Sequence, residues 1–259
     1  MKGILYYFSA TGNTKFVADK FKEQFNRYGK ELELFNIENL EEIDLKECGY
    51  LIIGTPIHAE LPPRVITDFV GKLPGGKSDI KCIVYSTQGA NGRAATEYIK
   101  RMLVKKGYNV SIHTSFRMAN NYYFGAGVER SQEEIEGYCK KDQEKVKYIT
   151  ESFFKNEYVK ESASSIKVFF SKIASNGFYK FLPKLSANLT STEDCSKCGL
   201  CLRNCPKGNI TFEGGHAVFH GQCIMCTRCI HLCPINAIRY KGKKINQNQK
   251  GLIKHLELK

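Results

Sequence analysis

The chain has 259 residues, of which 42% are hydrophobic and 25% are charged, and its formal net charge is +13 at pH 7. This composition is typical of a soluble globular protein, and no stretch approaches the roughly 18 uninterrupted apolar residues of a membrane span. An apolar segment follows Met1 and Lys2 directly, so we expect no signal peptide. Because no helix-turn-helix, zinc-finger or RNA-recognition motif accompanies the basic charge, we also expect no nucleic-acid partner.

From the amino terminus onward, apolar runs alternate with helical patterns. Five strands are predicted, at Gly3–Ser9, Glu31–Ile37, Tyr50–Thr55, Lys81–Thr87 and Asn109–Phe116. Helices are predicted at Asn13–Arg27, Pro63–Lys72, Arg93–Lys106 and Gln132–Phe154. Such alternation is typical of an α/β domain with a parallel sheet covered by helices on both faces. We expect this domain to span residues 1–154.

A loop of small and hydroxyl residues, Ser9–Thr14, follows the first predicted strand. In parallel sheets, ligands bind beyond the carboxyl ends of the strands. Here backbone N–H groups and hydroxyls can surround an anion, while the next helix directs its positive end toward it. The loop lacks the P-loop lysine and any G-x-G-x-x-G pattern, which favours a monophosphate over a hydrolysed nucleotide or a dinucleotide. The alternative is a capping threonine in a tight turn.

This loop has the pattern [ST]-x-T-G-x-T, and residues 1–152 resemble flavodoxins. The resemblance implies a doubly wound, five-stranded parallel sheet in the order 2-1-3-4-5 and a bound FMN. Loops after the third and fourth strands would then hold the isoalloxazine ring. By this resemblance, the phosphate-binding residues are Ser9, Thr11, Gly12, Asn13 and Thr14, and the ring-binding residues are Thr55, Pro56, Ile57, His58, Ser86, Thr87, Gln88, Gly89 and Asn91.

Flavodoxins often stack an indole on the flavin, but this chain contains no tryptophan. His58, Tyr122 or Tyr123 could substitute, and the alternative for His58 is an ordinary loop histidine. Asn120 and Asn121 follow the fifth predicted strand and could reach the flavin or a substrate on it. They could equally be turn residues, because asparagine favours turns.

Residues 155–189 are predicted to form a connecting segment of one or two short amphipathic helices. We expect the apolar residues of this segment to pack neighbouring domains together. A membrane-surface helix, suggested by the interleaved lysines, is the less favoured alternative. The apolar series is Ile166, Phe169, Phe170, Ile173, Phe178, Phe181, Leu182 and Leu185.

Eight of the eleven cysteines form two matching runs, Cys195-x2-Cys198-x2-Cys201-x3-Cys205-Pro206 and Cys223-x2-Cys226-x2-Cys229-x3-Cys233-Pro234. Three thiolates at every third residue can hold one [4Fe–4S] cluster, while the fourth, before proline, is turned toward the other cluster. Zinc is the alternative, but it has no use for a third cysteine at the same spacing. We therefore assign Cys195, Cys198, Cys201 and Cys233 to one cluster, and Cys223, Cys226, Cys229 and Cys205 to the other.

The two cysteine runs are an internal repeat, since each cysteine recurs 28 residues later and Ile210 recurs as Ile238. A repeat whose halves exchange one ligand predicts a two-fold unit that cannot close without its metal. Residues 190–240 resemble bacterial two-cluster ferredoxins, which are small α+β domains. Residues 241–259 hold six lysines against one glutamate and are interpreted as a solvated basic tail.

The remaining cysteines, Cys48, Cys82 and Cys139, lie in or beside apolar segments and are predicted to be packing residues. Cluster cysteines must stay reduced, which favours a cytoplasmic location. The whole chain resembles the flavodoxin–ferredoxin fusion proteins of anaerobes. This resemblance implies an oxidoreductase in which two clusters relay electrons to or from FMN, converting one-electron into two-electron transfer.

The expected electron partner is a redox protein, acidic to match the basic charge, with a small-molecule acceptor as a further option. The sequence leaves open whether the chain turns over a substrate. A pure electron carrier and a redox sensor with a degenerate flavin site are the alternatives.

Overall fold

The computed structural model describes residues 2–76, 79–90 and 92–258. The chain forms two compact units. The first comprises Met1–Ser9, Asn13–Ala119 and Glu133–Ser175, and the second comprises Ala10–Gly12, Asn120–Gln132 and Asn176–Lys259. Two short segments from the amino-terminal half of the sequence thus belong to the second unit.

The first unit is built on one parallel sheet of six strands in the order β2-β1-β3-β4-β5-β6. The predicted order 2-1-3-4-5 is confirmed, and a sixth strand that the sequence did not predict pairs with β5 through Ile112 and Val159. Two residues are too few to show a strand period. The strands are β1 Lys2–Tyr7, β2 Leu32–Asn36, β3 Cys48–Pro56, β4 Lys81–Gln88, β5 Asn109–Arg117 and β6 Val159–Lys160.

Helices lie against both faces of this sheet, as the near-continuous apolar strands require. On one face, a core cluster joins Val17, Phe21 and Phe25 of α1 and Val146 of α4 to side chains of the strands. On the other face, Phe69 of α2 packs on Tyr6 of β1 with ring centroids 4.9 Å apart. The helices are α1 Asn13–Arg27, α2 Arg64–Lys72, α3 Ala94–Lys105 and α4 Gln132–Phe154, with a short 3-10 helix at Ile37–Asn39.

A fifth helix, α5, covers Ser165–Ser186, so its first half belongs to the first unit and its second half to the second. The sequence predicted one or two short helices here, and the structure has a single one with Pro183 near its end. Five side chains of the predicted apolar series are exposed, so the prediction that they are packing residues is wrong for them. They are Ile166, Phe169, Phe170, Ile173 and Phe181.

The second unit is a small α+β structure with two short antiparallel sheets. One sheet has the order β11-β10-β7, and the other is the hairpin of β8 and β9, whose Gly214-Gly215 turn has positive φ at both positions. Such a turn matches the twist of the strands that it joins. The elements are β7 Leu189–Ser191, α6 Leu200–Arg203, β8 Ile210–Glu213, β9 His216–Phe219, α7 Arg228–Leu232, β10 Ile238–Tyr240, β11 Lys243–Lys244 and α8 Lys250–Ile253.

The carboxyl-terminal segment contains the helix α8 and several buried side chains, so the interpretation of residues 241–259 as a solvated tail does not hold for that part of the segment. Ile245, Gln249 and Leu252 are buried in the second unit, and the Gln247 amide donates to the backbone carbonyls of Ile230 and Cys233 at 2.6 and 2.7 Å. Its helix α8 has only four residues, which are too few to show a helical period, so the lysine count alone suggested a solvated tail.

No helix within the described ranges combines the length and the apolar character needed to cross a bilayer.

Candidate functional site

Two cavities in the second unit are each lined by four cysteines. Cys195, Cys198, Cys201 and Cys233 line one cavity. Cys205, Cys223, Cys226 and Cys229 line the other. These are the two groups of four that the spacing predicts, with the fourth cysteine of each run contributed to the opposite cavity.

Among residues 2–76, 79–90 and 92–258, no three His, Cys, Asp or Glu side chains are placed to hold a single metal ion.

The backbone of the second unit repeats with the same 28-residue period as the cysteines. Lys197 and Met225 both have positive φ, of 56° and 50°, and so do Gly199 and Thr227, at 74° and 60°. The pattern continues in two further pairs, Gly208 with Asn236 and Gly214 with Gly242. Positive φ is costly for residues other than glycine and is concentrated at functional sites. The strained turns of one half therefore have matching turns in the other half.

Backbone N–H groups point at the sulfur atoms of the exchanged cysteines. Asn209 N–H donates to Cys205 Sγ at 3.3 Å, and its repeat equivalent Ala237 N–H donates to Cys233 Sγ at 3.2 Å. Met225 N–H also donates to Cys223 Sγ at 3.3 Å. Hydrogen bonds to sulfur are among the features that tune iron–sulfur clusters, so these donors suit metal-bound cysteines.

Burial acts against the charged form of these thiols. It raises the pKa of Cys201 and of Cys223 to about 11 and the pKa of Cys226 to about 12, although the Arg228 guanidinium lowers the last of these. Without a neighbouring cation the buried sulfur atoms would stay protonated. Cys201, Cys223 and Cys226 would therefore become thiolate ligands only beside a positive charge such as that of a metal ion.

Within the second unit, Asn121 joins the predicted phosphate loop to a cysteine segment. Its amide Nδ2 donates to Thr11 Oγ1 at 3.0 Å and to the Cys226 carbonyl at 3.3 Å. The backbone carbonyl of Asn121 accepts a hydrogen bond from His231 Nε2 at 3.0 Å. Burial lowers the pKa of His231 to about 4, so its ring is neutral. Asn121 is thus more than a turn residue.

Arg228 makes a second connection of the same kind. It is only 4% exposed, and its Nε donates to the Ala10 carbonyl at 2.8 Å while Nη1 donates to the Asn204 carbonyl at 3.0 Å. Gly12, with φ of +102°, packs so closely on α8 that a Cβ there would lie 2.2 Å from the Leu252 carbonyl oxygen. The sequence pattern singled out neither Arg228, which is a variable position between two motif cysteines, nor α8, which is too short to show a helical period.

In the first unit, the residues on either side of this loop have their own partners. Thr14 Oγ1 lies 2.8 Å from Thr87 Oγ1, and both side chains are buried. Lys15 N–H donates to Ser9 Oγ at 3.2 Å. Asn13 Nδ2 donates to the Ala119 carbonyl at 3.2 Å, but its buried Oδ1 has no hydrogen-bond partner among the residues that the structure describes.

The two predicted ring-binding segments lie at the carboxyl ends of neighbouring strands. Thr55 and Pro56 end β3, and Ile57 N–H donates to the Thr87 carbonyl of the β4 segment at 3.2 Å. His58 is half-buried and forms a bridge with Leu61 across a tight turn. Ser86, Thr87 and Gln88 are buried at the end of β4, Gly89 is exposed, and Asn91 lies outside the described residues.

The other predicted residues have structural contacts. Asn120 Oδ1 accepts from Tyr122 N–H at 2.9 Å, which makes Asn120 a turn residue. Tyr122 lies in an aromatic cluster of the second unit, 6.2 Å from Tyr240 between ring centroids, and Tyr123 donates to the Asn246 carbonyl. Cys48 and Cys82 are buried and Cys139 is half-buried, which confirms that these three pack.

No family model and no curated protein matches the chain. Among solved structures, oxidised flavodoxin 2 from Bacillus cereus is similar over 60% of this chain and 99% of its own, with 19% identity and a TM-score of 0.47. A flavodoxin from the domain Archaea is similar over 58% of this chain and 99% of its own, with 16% identity and a TM-score of 0.40.

Rubredoxin oxygen:oxidoreductase from Desulfovibrio gigas is similar over 57% of this chain but only 36% of its own, with 16% identity and a TM-score of 0.40. The strand order itself defines the first unit as a doubly wound, flavodoxin-like α/β fold. The same chain also contains a repeated unit with two four-cysteine cavities.

Proposed function

We propose that this chain is an electron-transfer protein that holds two [4Fe–4S] clusters and one FMN and exchanges electrons with an external partner. The observation that carries the proposal is the sorting of eight cysteines into two cavities, each with three cysteines of one run and the fourth of the other. This exchange is the ligand pattern of two-cluster ferredoxins. The matching strained turns and the N–H donors to Cys205 and Cys233 support the same assignment.

The residues at the first strand fit a phosphate group. Ser9, Thr11, Gly12, Asn13 and Thr14 would hold it through hydroxyls, backbone N–H groups and the start of α1. Thr14 and Thr87 share one hydrogen bond, which uses one of their two hydroxyl protons and leaves the other for an acceptor such as a phosphate oxygen. The unpaired Asn13 Oδ1 could accept from a hydroxyl of the bound group.

For the flavin ring we propose the segments at the ends of β3 and β4. The buried Thr55, Ser86 and Gln88 form the floor of this region, and Pro56, Ile57 and His58 follow on from β3. When bound, the clusters would supply one-electron steps and FMN would supply a two-electron store. The chain itself contributes the binding residues, a buried environment and hydrogen bonds that set the charge on sulfur.

We further propose that the cluster of Cys205, Cys223, Cys226 and Cys229 is the one nearer to the flavin phosphate. Its ligand segment, residues 223–231, contacts the loop through Asn121 and Arg228, which reach Thr11 and Ala10. For the external partner we propose an acidic redox protein, which the net charge of +13 would attract, and for location the reducing cytoplasm.

Purification under strict exclusion of oxygen, followed by iron, sulfide and flavin analysis, tests the cofactor assignment. We expect about eight iron atoms per chain, as two cubes require, and about one FMN. Zinc in place of iron, or iron for one cube alone, would contradict the assignment of the cysteine cavities. Full iron with no flavin would contradict the assignment of the phosphate loop.

Replacing Asn121 tests which cluster is nearer to the loop. Asn121→Ala removes the hydrogen bonds to Thr11 and Cys226, and we expect flavin affinity to fall by about tenfold. Iron content should stay unchanged. The matched control is Asn120→Ala, whose contacts stay within its own turn. Unchanged flavin affinity and unchanged flavin reduction kinetics in Asn121→Ala would contradict this connection.

A further inference from the structure

The first half of α5 presents apolar side chains to solvent. Ile166, Phe169, Phe170 and Ile173 are 70%, 60%, 62% and 54% exposed. Their spacing of three, four and seven residues places all four on one helix face. The face that is buried in the first unit carries smaller side chains instead, since Val168, Ser171 and Ser175 are only 3%, 3% and 5% exposed. The largest apolar side chains of this half of the helix thus face solvent rather than the core.

Positive charge accompanies this face. The sequence has no aspartate or glutamate between Glu161 and Glu193, a stretch that contains four lysines. Two of them, Lys167 and Lys172, belong to the exposed half of α5. Lys167 Nζ is 3.6 Å from Glu60 Oε2, and Lys172 Nζ lies 4.9 Å from the centre of the Tyr98 ring, so both are anchored beside the apolar residues.

Helix α4 shows that exposed apolar residues elsewhere in the unit have different surroundings. Tyr148 is 57% exposed, but it lies one turn from Glu144 and from Glu151. Both glutamates are paired, Glu144 with Lys147 and Glu151 with Lys155, so these four charges cancel. An anionic surface would therefore attract α5 more strongly than this part of α4. On α5, in contrast, the exposed phenylalanines lie beside two lysines, Lys167 and Lys172.

We propose that the face of Ile166, Phe169, Phe170 and Ile173 binds the surface of an anionic lipid bilayer. An apolar face flanked by lysines is suited to lie in the interface, with its rings among the acyl chains and its ammonium groups at the headgroups. The face is the convex side of a single helix, and a bilayer accepts such a shape without a complementary groove. A second copy of the chain fits less well, because it would bring like-charged lysines together.

Vesicle co-sedimentation of the full, cofactor-loaded chain tests the proposal. We expect binding to vesicles of phosphatidylcholine with phosphatidylglycerol, weak binding to phosphatidylcholine alone, and release by added salt. Phe169→Ser/Phe170→Ser should weaken binding by at least about tenfold, with Tyr148→Ser as the matched control without effect. Lys167→Gln/Lys172→Gln should weaken it by about fivefold per lysine, whereas Lys140→Gln/Lys141→Gln on α4 should not.

A fluorescent reporter locates the contact independently of affinity. Because the chain has no tryptophan, Phe170→Trp introduces a single indole on the proposed face. Its emission should shift to the blue when anionic vesicles are added, since the ring leaves water. Tyr148→Trp should show no shift. All variants should retain wild-type iron and flavin content, because the altered side chains are exposed.

Three results would overturn the proposal. Equal binding to neutral and anionic vesicles, or no binding, would exclude the anionic bilayer. A wild-type dimer in lipid-free buffer that Phe169→Ser/Phe170→Ser converts to a monomer would assign the face to a second copy. Binding of an acidic protein that the same variant abolishes, without vesicle binding, would assign it to a protein partner.

Discussion

The two units reach an ordered structure by different means. The first has a parallel sheet whose central strands are fully buried, and its largest buried side chains include Tyr6, Phe21, Tyr85 and Phe116. The second has strands of two to four residues and short helices, with a smaller core around Ile230 and Ile238. Burial of apolar area can stabilise the first unit, whereas a core as small as that of the second seldom suffices without further cross-links.

Backbone conformation shows the same contrast. Lys197, Met225, Thr227 and Asn236 all have positive φ around the cysteine cavities. Each costs free energy that a small core does not easily offset, so the native turns need an additional source of stability. Metal binding to the eight cysteines would supply it, because metal-binding free energy acts as folding free energy. We therefore expect the first unit to fold without FMN, and the second unit not to fold without its proposed metal clusters.

The strongest test is to remove one of the proposed cluster ligands. We expect Cys229→Ser to lower iron content and to abolish slow hydrogen exchange across residues 195–240, while strands of the first unit stay protected. Mass spectrometry of amide exchange measures both regions at once. Cys82→Ser, at a fully buried thiol of the first unit, should keep full iron at a cost of about 1–3 kcal/mol. Slow amide exchange around residue 229 in a variant that lacks iron would show that the second unit folds without metal.

Creating a cavity in the core of the first unit tests whether this unit is stabilised independently of the second. Phe21 is fully buried, with ring centroids 5.4 Å from Tyr85 and 6.0 Å from Phe116. Phe21→Ala should lower the free energy of unfolding of the first unit by about 3–5 kcal/mol in urea titrations, with unchanged iron content. Val104→Ala, at a half-exposed position of α3, should change it by less than about 0.5 kcal/mol. A loss of iron in Phe21→Ala would contradict the independence of the two units.

A buried carboxyl should make the stability of the first unit depend on pH. Burial raises the pKa of Asp142 to about 7, and its Oδ2 has no hydrogen-bond partner in the described part of the chain. In the unfolded chain the pKa is about 3.9, so the native state favours the protonated carboxyl. The contribution of the Asp142 carboxyl to the free energy of unfolding is complete below pH about 4. It is lost as the pH rises toward 7, by about 2–4 kcal/mol in all.

The Asp142→Asn variant should remove this pH dependence, since its side chain does not ionise. Its free energy of unfolding should exceed that of the wild type above pH 7 and change less between pH 5 and 8. Urea titrations at each pH measure the difference. Parallel curves for the two proteins would show that Asp142 is ionised in the native state throughout this range.

A smaller effect should follow from closing the space at Gly12. Gly12→Ala adds a Cβ 2.2 Å from the Leu252 carbonyl oxygen at a φ of +102°, so we expect a loss of about 1–3 kcal/mol and weaker flavin retention. Gly137→Ala in α4 is the matched control, because the added Cβ would meet no neighbouring side chain or distant backbone within 4 Å. Its free energy of unfolding should rise by about 0.5–1 kcal/mol. Thermal unfolding and flavin fluorescence measure both variants. Wild-type stability in Gly12→Ala would mean that α8 does not hold this loop.

Local patterns account for the parts of the structure that the sequence predicted. The strands of the first unit are continuous apolar runs, so their positions could be anticipated, whereas the order 2-1-3-4-5 came from the resemblance to flavodoxins. The cysteine spacing predicted the two groups of four that the cavities bring together. The strand β6 and the helix α8 were missed, because each is too short to carry a periodic signal.

What the sequence determined by itself is therefore what lies within a few residues along the chain, namely the strand periods, the phosphate-loop pattern and the spacing of the cysteines. Only the tertiary structure decided that Asn121 and Arg228 join the loop at residues 10–12 to the segment of Cys226. Only the tertiary structure decided that Phe169 and Phe170 of α5 face solvent rather than a core. The physical reason is that burial and hydrogen-bond partners depend on which distant segments meet, and a periodic pattern cannot report whether its apolar face is covered.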